Sequence, residues 1–112
     1  MGQLSEIGIV GAGFMGSGIA ESAARAGLVV HLFEPEPGPL AASRERVAAS
    51  VQRAVRGGKL EAGAAGELVE RIHWTAELGE LEPAQLVVEA ITEKSRPRPR
   101  SSGRSTSAST AR

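Results

Sequence analysis

Apolar positions along the chain follow two alternating rhythms. Leu4 to Val10 and Leu28 to Phe33 are short, nearly unbroken apolar runs with β-branched residues, the pattern of strands buried in a parallel sheet. Between them, Phe14 to Ala26 repeats at helical spacing. Ile19, Ala20, Ala23 and Ala24 share one face, Glu21, Ser22 and Arg25 the other, and Gly27 is a C-terminal stop. Strand, helix and strand fit in about 30 residues, the length of a βαβ unit. Pro35-Glu36-Pro37-Gly38-Pro39 cannot continue a strand, and Pro39 suits the first position of a second helix. In that helix Leu40, Val47, Val51, Ala54 and Val55 mark the buried side. Arg44, Glu45, Arg46, Arg53 and Arg56 read as a solvated face, and Gly57-Gly58 ends the helix. A third helix is predicted over about Glu61 to Arg71, with Leu60, Ala64, Leu68 and Ile72 along one side. Ile72 to Thr75 is β-leaning, Ala76 to Leu81 a short helical turn broken by Pro83, and Gln85 to Ile91 a buried strand interrupted by Glu89.

The first strand runs into Gly11-Ala12-Gly13-Phe14-Met15-Gly16, three glycines spaced G-x-G-x-x-G just before a helix. In a strand-turn-helix setting the first glycine permits the tight turn, the second lets bare backbone approach a pyrophosphate, and the third lets helix and strand pack closely. The pyrophosphate then meets the unpaired N–H groups and positive dipole end of the helix. Glu34 ends the second strand, where such a fold places an acid that accepts hydrogen bonds from an adenosine ribose. A carboxylate repels a 2′-phosphate, and no Lys or Arg follows until Arg44, so the expected ligand is NAD rather than NADP. His31 and His73 lie in separate strands without acidic or thiol partners at ligand spacing. They predict no metal site, and with Trp74 they are read as packing or surface residues.

Composition changes this picture at one end. Residues 1–93 carry 7 Lys/Arg against 13 Glu, whereas residues 94–112 carry 6 Lys/Arg and no acid, so the formal net charge of zero joins two unlike halves. From Lys94 onward there is no Val, Ile, Leu, Met, Phe or Trp. Such a segment buries too little apolar surface to offset its ordering entropy and is predicted to be disordered. It reads either as a basic arm for nucleic acid or membrane headgroups, or as GC-rich coding sequence translated out of its ancestral frame from Lys94 onward. In the second reading, one base restored in codon 94 allows an amphipathic helix to be encoded. The chain lacks cysteine, so disulfides and thiolate metal sites are excluded, and with no apolar run of membrane-spanning length a cytoplasmic protein is expected. Two regions are thus expected, a partial domain over residues 1–93 and a basic tail over 94–112.

The stretch Ile7-Gly8-Ile9-Val10-Gly11-Ala12-Gly13-Phe14-Met15-Gly16-Ser17-Gly18-Ile19-Ala20 resembles the 3-hydroxyacyl-CoA dehydrogenase family, which includes the 3-hydroxybutyryl-CoA dehydrogenases. Gly58-Lys59-Leu60 in the paired-helix segment and Leu86-Val87-Val88-Glu89-Ala90-Ile91-Thr92-Glu93 extend the likeness over residues 4–93. The resemblance implies an α/β, Rossmann-type parallel sheet with helices on both faces, here incomplete. It implies NAD as cofactor, held at the pyrophosphate by Gly11, Ala12, Gly13, Phe14, Met15 and Gly16. Glu34 would take the adenosine ribose, and Ala90, Ile91 and Glu93 would lie under the nicotinamide-side ribose. Family members oxidise 3-hydroxyacyl-CoA to 3-oxoacyl-CoA with a His base oriented by a Glu, and dimerise through a helical C-terminal domain. Those features match nothing in these 112 residues, so no catalytic residue is carried onto this chain, which is expected to be inactive alone. The family pattern also calls for a lysine five residues after Glu93, where this chain has Arg98. The alternative reading is a non-catalytic dinucleotide-binding module whose basic tail associates with nucleic acid.

Overall fold

A computed structural model of the chain describes residues 3–91 and 109–111. The elements are β1 (Glu6–Val10), α1 (Phe14–Arg25), β2 (Val29–Phe33), α2 (Pro37–Arg56), α3 (Ala62–Glu70), β3 (Ile72–Thr75), a 3₁₀ helix (Leu78–Leu81), β4 (Leu86–Glu89) and β5 (Ser109–Ala111). They form one sheet in the order β3-β2-β1-β4-β5. The first four strands are parallel and β5 runs antiparallel to β4.

That order explains where the helices go. From β1 through β2 to β3 the sheet grows in one direction, and crossovers of one hand place their helices on one face. The facing side chains agree: Ile7 and Ile9, Val30 and Leu32, and Ile72 lie in register and pack with Ala20 and Ala24 of α1, Val47 and Val51 of α2, and Ala65 and Leu68 of α3. Return from β3 to β4, on the far side of β1, carries the chain across the other face. There the 3₁₀ helix is the cover: a Cβ on Gly8 would lie 3.0 Å from Leu81 Cδ2 and 3.3 Å from the Ala84 Cβ. Helices on both faces are thus realised unevenly among the described residues, three α-helices on one side and a single 3₁₀ turn on the other.

Several boundaries differ from the sequence reading. Helix α2 starts at Pro37, not Pro39, with Glu36 as its N-cap. Two prolines fit because the N–H groups of a first helical turn lack intrahelical acceptors. Gly27, with φ of 100°, and Gly58, with φ of 75°, adopt the left-handed conformation that follows α1 and α2. In α3 the buried pair is Ala65 and Leu68, while Ala64 faces solvent. Strand β4 is half-buried rather than buried, and Glu89 at its end is exposed. Its outer edge is covered: Val87, Val88 and Glu89 pair with Ala111, Thr110 and Ser109. For residues 109–111 the expectation of disorder is therefore replaced by strand. The rest of the predicted tail, the out-of-frame reading and Arg98 lie outside the described residues.

His31 and His73 sit side by side in the register of β2 and β3, with ring centroids 5.4 Å apart. His31 Nε2 is 2.8 Å from Glu6 Oε1. Among the described residues no group of three or more His, Asp or Glu side chains is placed to hold a metal ion. No helix there is long and apolar enough to cross a membrane.

Candidate functional site

The sheet reverses its order between β1 and β4, and a cleft opens at the carboxyl ends of the strands at such a reversal. Here the cleft measures about 450 Å³, and Val10, Phe33 and Ala90 at or just past the ends of β1, β2 and β4 line it. Its rim is the glycine loop, Gly11 to Gly13, opposite Glu34 to Glu36. The volume falls within the roughly 300–1,000 Å³ of small-molecule sites.

The loop's path follows from its glycines. Gly11 has φ of 112° and donates its N–H to Phe33 O at 3.0 Å. A Cβ there would lie 2.8 Å from Ala90 O, so a side chain is barred both by backbone conformation and by the neighbouring strand. At Gly16 a Cβ would collide with the Gly11 carbonyl oxygen. Gly16 is therefore what lets α1 start directly against the turn. Gly13 is the N-cap of α1, and neither a capping side chain nor an acidic residue occupies the first turn. The initial N–H groups of α1 thus keep their capacity to bind an anion.

Glu34 holds the far rim. Its Oε1 accepts the Ala12 N–H at 3.1 Å and its Oε2 accepts the Glu36 N–H at 3.2 Å, which fixes the carboxylate between loop and turn. Each carboxylate oxygen retains acceptor capacity for a hydroxyl donor. The arrangement combines a bare anion-binding helix start with a fixed acceptor across a cleft. Both the diphosphate and the ribose of a dinucleotide match it.

Of the residues expected at the cofactor, Gly11, Ala12, Gly13, Glu34, Ala90 and Ile91 come together as lining of this cleft. Phe14 and Met15 do not line it, and Phe14 is 79% exposed. Gly16 is buried behind the loop, and Glu93 lies outside the described residues. Neither His31 nor His73 lines the cleft.

The sequence reading missed the support behind the loop. Ser17 and Ser43 are both buried, with their hydroxyl oxygens 2.7 Å apart. Trp74 Nε1 donates to Ser43 Oγ at 3.0 Å, and Ser17 Oγ donates to Ala12 O at 3.4 Å. Arg46, expected on a solvated face, is half-buried; its Nη1 lies 3.4 Å from Ser17 Oγ and 3.5 Å from Ala12 O. Its guanidinium carbon sits 4.2 Å from the centroid of the Phe14 ring. Serines and an arginine at these positions carry no periodicity signal, because their partners lie 26 to 31 residues away.

Comparison with known proteins agrees with this geometry. The family described as "3-hydroxyacyl-CoA dehydrogenase, NAD binding domain" matches residues 6–100, seven residues beyond Glu93. The 3-hydroxybutyryl-CoA dehydrogenase of Mycobacterium tuberculosis is 42% identical over 90 residues, which are 80% of this chain and 32% of that protein. A probable 3-hydroxybutyryl-CoA dehydrogenase of Bacillus subtilis is 35% identical over 91 residues, 81% of this chain and 32% of that one. The crystal structure of M. tuberculosis FadB2 superposes with a TM-score of 0.79 at 41% identity, covering 82% of this chain and 32% of its own. That of a (S)-3-hydroxybutyryl-CoA dehydrogenase from Ralstonia eutropha gives 0.78 at 32% identity, covering 81% and 32%. The chain thus spans about a third of the length of these relatives. With the glycine loop, the fixed Glu34 and the cleft at the strand reversal all in place, the chain belongs to the NAD-binding domain family of the 3-hydroxyacyl-CoA dehydrogenases.

Proposed function

We propose that this chain is the cofactor-holding part of a dehydrogenase that oxidises 3-hydroxyacyl-CoA to 3-oxoacyl-CoA. When bound, NAD supplies the hydride acceptor. The chain's own residues bind and orient it. Gly11, Ala12 and Gly13 offer backbone at the diphosphate, with the first turn of α1 from Phe14 through Met15 to Gly16 behind them. Glu34 receives the hydroxyls of the adenosine ribose, and Ala90, Ile91 and Glu93 border the nicotinamide-side ribose. None of the chain's residues is assigned as the base, since both histidines lie away from the cleft.

The observation that carries this reading is the Glu34 carboxylate, tied to the Ala12 N–H at 3.1 Å and so fixed beside the loop meant for the diphosphate. A fixed negative charge at that rim repels a 2′-phosphate and accepts from a 2′-hydroxyl. Titration with NADH and NADPH by calorimetry tests it. Tighter binding of NADH is expected, and equal or tighter binding of NADPH refutes the role given to Glu34.

A further inference from the structure

Arg46 is the odd member of its helix. Arg44 and Arg53 are exposed, as a solvated face requires, but Arg46 turns back under the glycine loop. Among the described residues no carboxylate pairs with it. It lies instead against the Phe14 ring, Ser17 Oγ and Ala12 O. The two polar contacts, at 3.4 and 3.5 Å, are long and share one nitrogen, so neither is a strong hydrogen bond. The ring contact at 4.2 Å is well inside cation–π range.

The direction of the hydrogen bonds beneath the loop can be deduced. An indole N–H only donates, so Ser43 Oγ accepts from Trp74 and its own proton goes to Ser17. The Ser17 proton goes to Ala12 O. Ser17 Oγ then accepts from Ser43 and Arg46, and its capacity is filled. The relay of donors from Trp74 through Ser43 and Ser17 ends on one acceptor, the Ala12 carbonyl, which Arg46 also approaches. A peptide unit is planar and trans, so its C=O and N–H point in opposite directions. Holding Ala12 O on the α2 side therefore turns the N–H of Gly13 the other way. Gly13 lines the cleft and Arg46 does not.

We propose that Arg46 is a positioning residue for the cofactor diphosphate: seated on Phe14, it joins Ser17 in keeping the Ala12–Gly13 peptide turned so that the Gly13 N–H faces the cleft, and it adds positive charge behind the loop. It rests on the assignment of this cleft to NAD, and it concerns a part of the ligand that Glu34 does not touch. Phe14 acquires a reason for its exposure, since its ring is the platform that keeps a guanidinium in place without a carboxylate. A carboxylate partner there would cancel the charge that the diphosphate uses.

The test separates ligands that carry a diphosphate from one that does not. ADP, NADH and adenosine are titrated by calorimetry into the full chain and into R46M, R46K and F14L, with folding followed by the fluorescence of the single tryptophan, Trp74. For R46M the expected loss is about tenfold for ADP and NADH, with adenosine unchanged within about twofold. R46K keeps the charge without the planar fork and is expected to lose about threefold for ADP. F14L, altered at an exposed position where folding is not at stake, is expected to lose a similar factor. Unchanged ADP affinity in R46M overturns the proposal. So does a parallel loss of adenosine affinity, which marks a general structural role; if R46M does not fold, unchanged ADP affinity in both R46K and F14L overturns it. Equal NADH and NADPH binding by the unaltered chain refutes the reading of Glu34 and leaves the Arg46 comparison standing.

Discussion

Two alanine substitutions in one helix measure how tightly α1 is set against the loop. In an open helical position, replacing glycine with alanine stabilises by about 1 kcal/mol, because glycine loses more backbone freedom on folding. Gly18 is such a position, with nothing within 4 Å of an added Cβ. Gly16 is its opposite: the Cβ would run into the Gly11 carbonyl oxygen and come 3.0 Å from the carbonyl carbon. Both obstacles are backbone, so relief requires moving α1 away from β1 or distorting the turn. Overpacking of this kind costs about 3 kcal/mol, and the helical gain of about 1 kcal/mol leaves Gly16→Ala about 2 kcal/mol less stable than the unaltered chain. The variants should then differ by about 3 kcal/mol in opposite directions. At about 4–8 °C per kcal/mol for a domain near this size, their Tm values separate by at least about 12 °C. Urea or thermal denaturation followed by Trp74 fluorescence reads this difference, and Gly16→Ala should also weaken NADH, because the displaced Gly11 peptide carries the Ala12 N–H that holds Glu34. A Gly16→Ala variant that melts at or above the unaltered chain and binds NADH equally well refutes the reasoning.

Glu34→Gln keeps the shape of the rim but removes its charge, and the preference for NADH over NADPH should narrow by about tenfold in paired titrations. Ser43→Ala leaves the Trp74 N–H and one side of Ser17 without a buried partner, at a cost of about 1–3 kcal/mol, and should shift Trp74 emission; an unchanged melt and spectrum contradict the hydrogen-bond order deduced beneath the loop. Deleting residues 109–112 uncovers the edge of β4, and concentration-dependent association is expected in sedimentation experiments; a deletion variant that remains as monodisperse as the full chain shows that β5 does not protect that edge. Incubation of the 112-residue chain with NAD and 3-hydroxybutyryl-CoA should form no NADH above buffer, since alcohol oxidation needs a base near the hydroxyl and neither histidine lines the cleft. Turnover that survives repurification and is lost in Gly13→Val contradicts this.

What the sequence made legible is what short range governs. The first βαβ unit, the glycine turn and Glu34 lie within 34 residues, and each is defined by a local rule: β-branched runs, a left-handed Gly11, a small Gly16, an acid at the end of β2. Ile72 to Thr75 was legible as a strand from its β-leaning composition, Ile72, Trp74 and Thr75 within four residues. The errors fall where a distant residue decides. Ala64 and Ala65 are indistinguishable by composition, and the packing of α3 on α2 and the sheet chooses Ala65. The strand at 109–111, where disorder was expected, forms on the edge of β4, about 20 residues back along the chain, and the segment that holds it has no apolar periodicity. Arg46 is the most instructive case. The sequence reading groups it with Arg44, yet two residues along a helix lie about 200° apart, and one guanidinium lies 5.2 Å from the Trp74 ring while the other lies 4.2 Å from the Phe14 ring at the loop. Which of those two sides of α2 meets the start of α1 is decided by how the helices pack, a tertiary quantity. Residues that touch the ligand through backbone can therefore be read from a motif, whereas those that hold that backbone in place emerge only once the helices are packed.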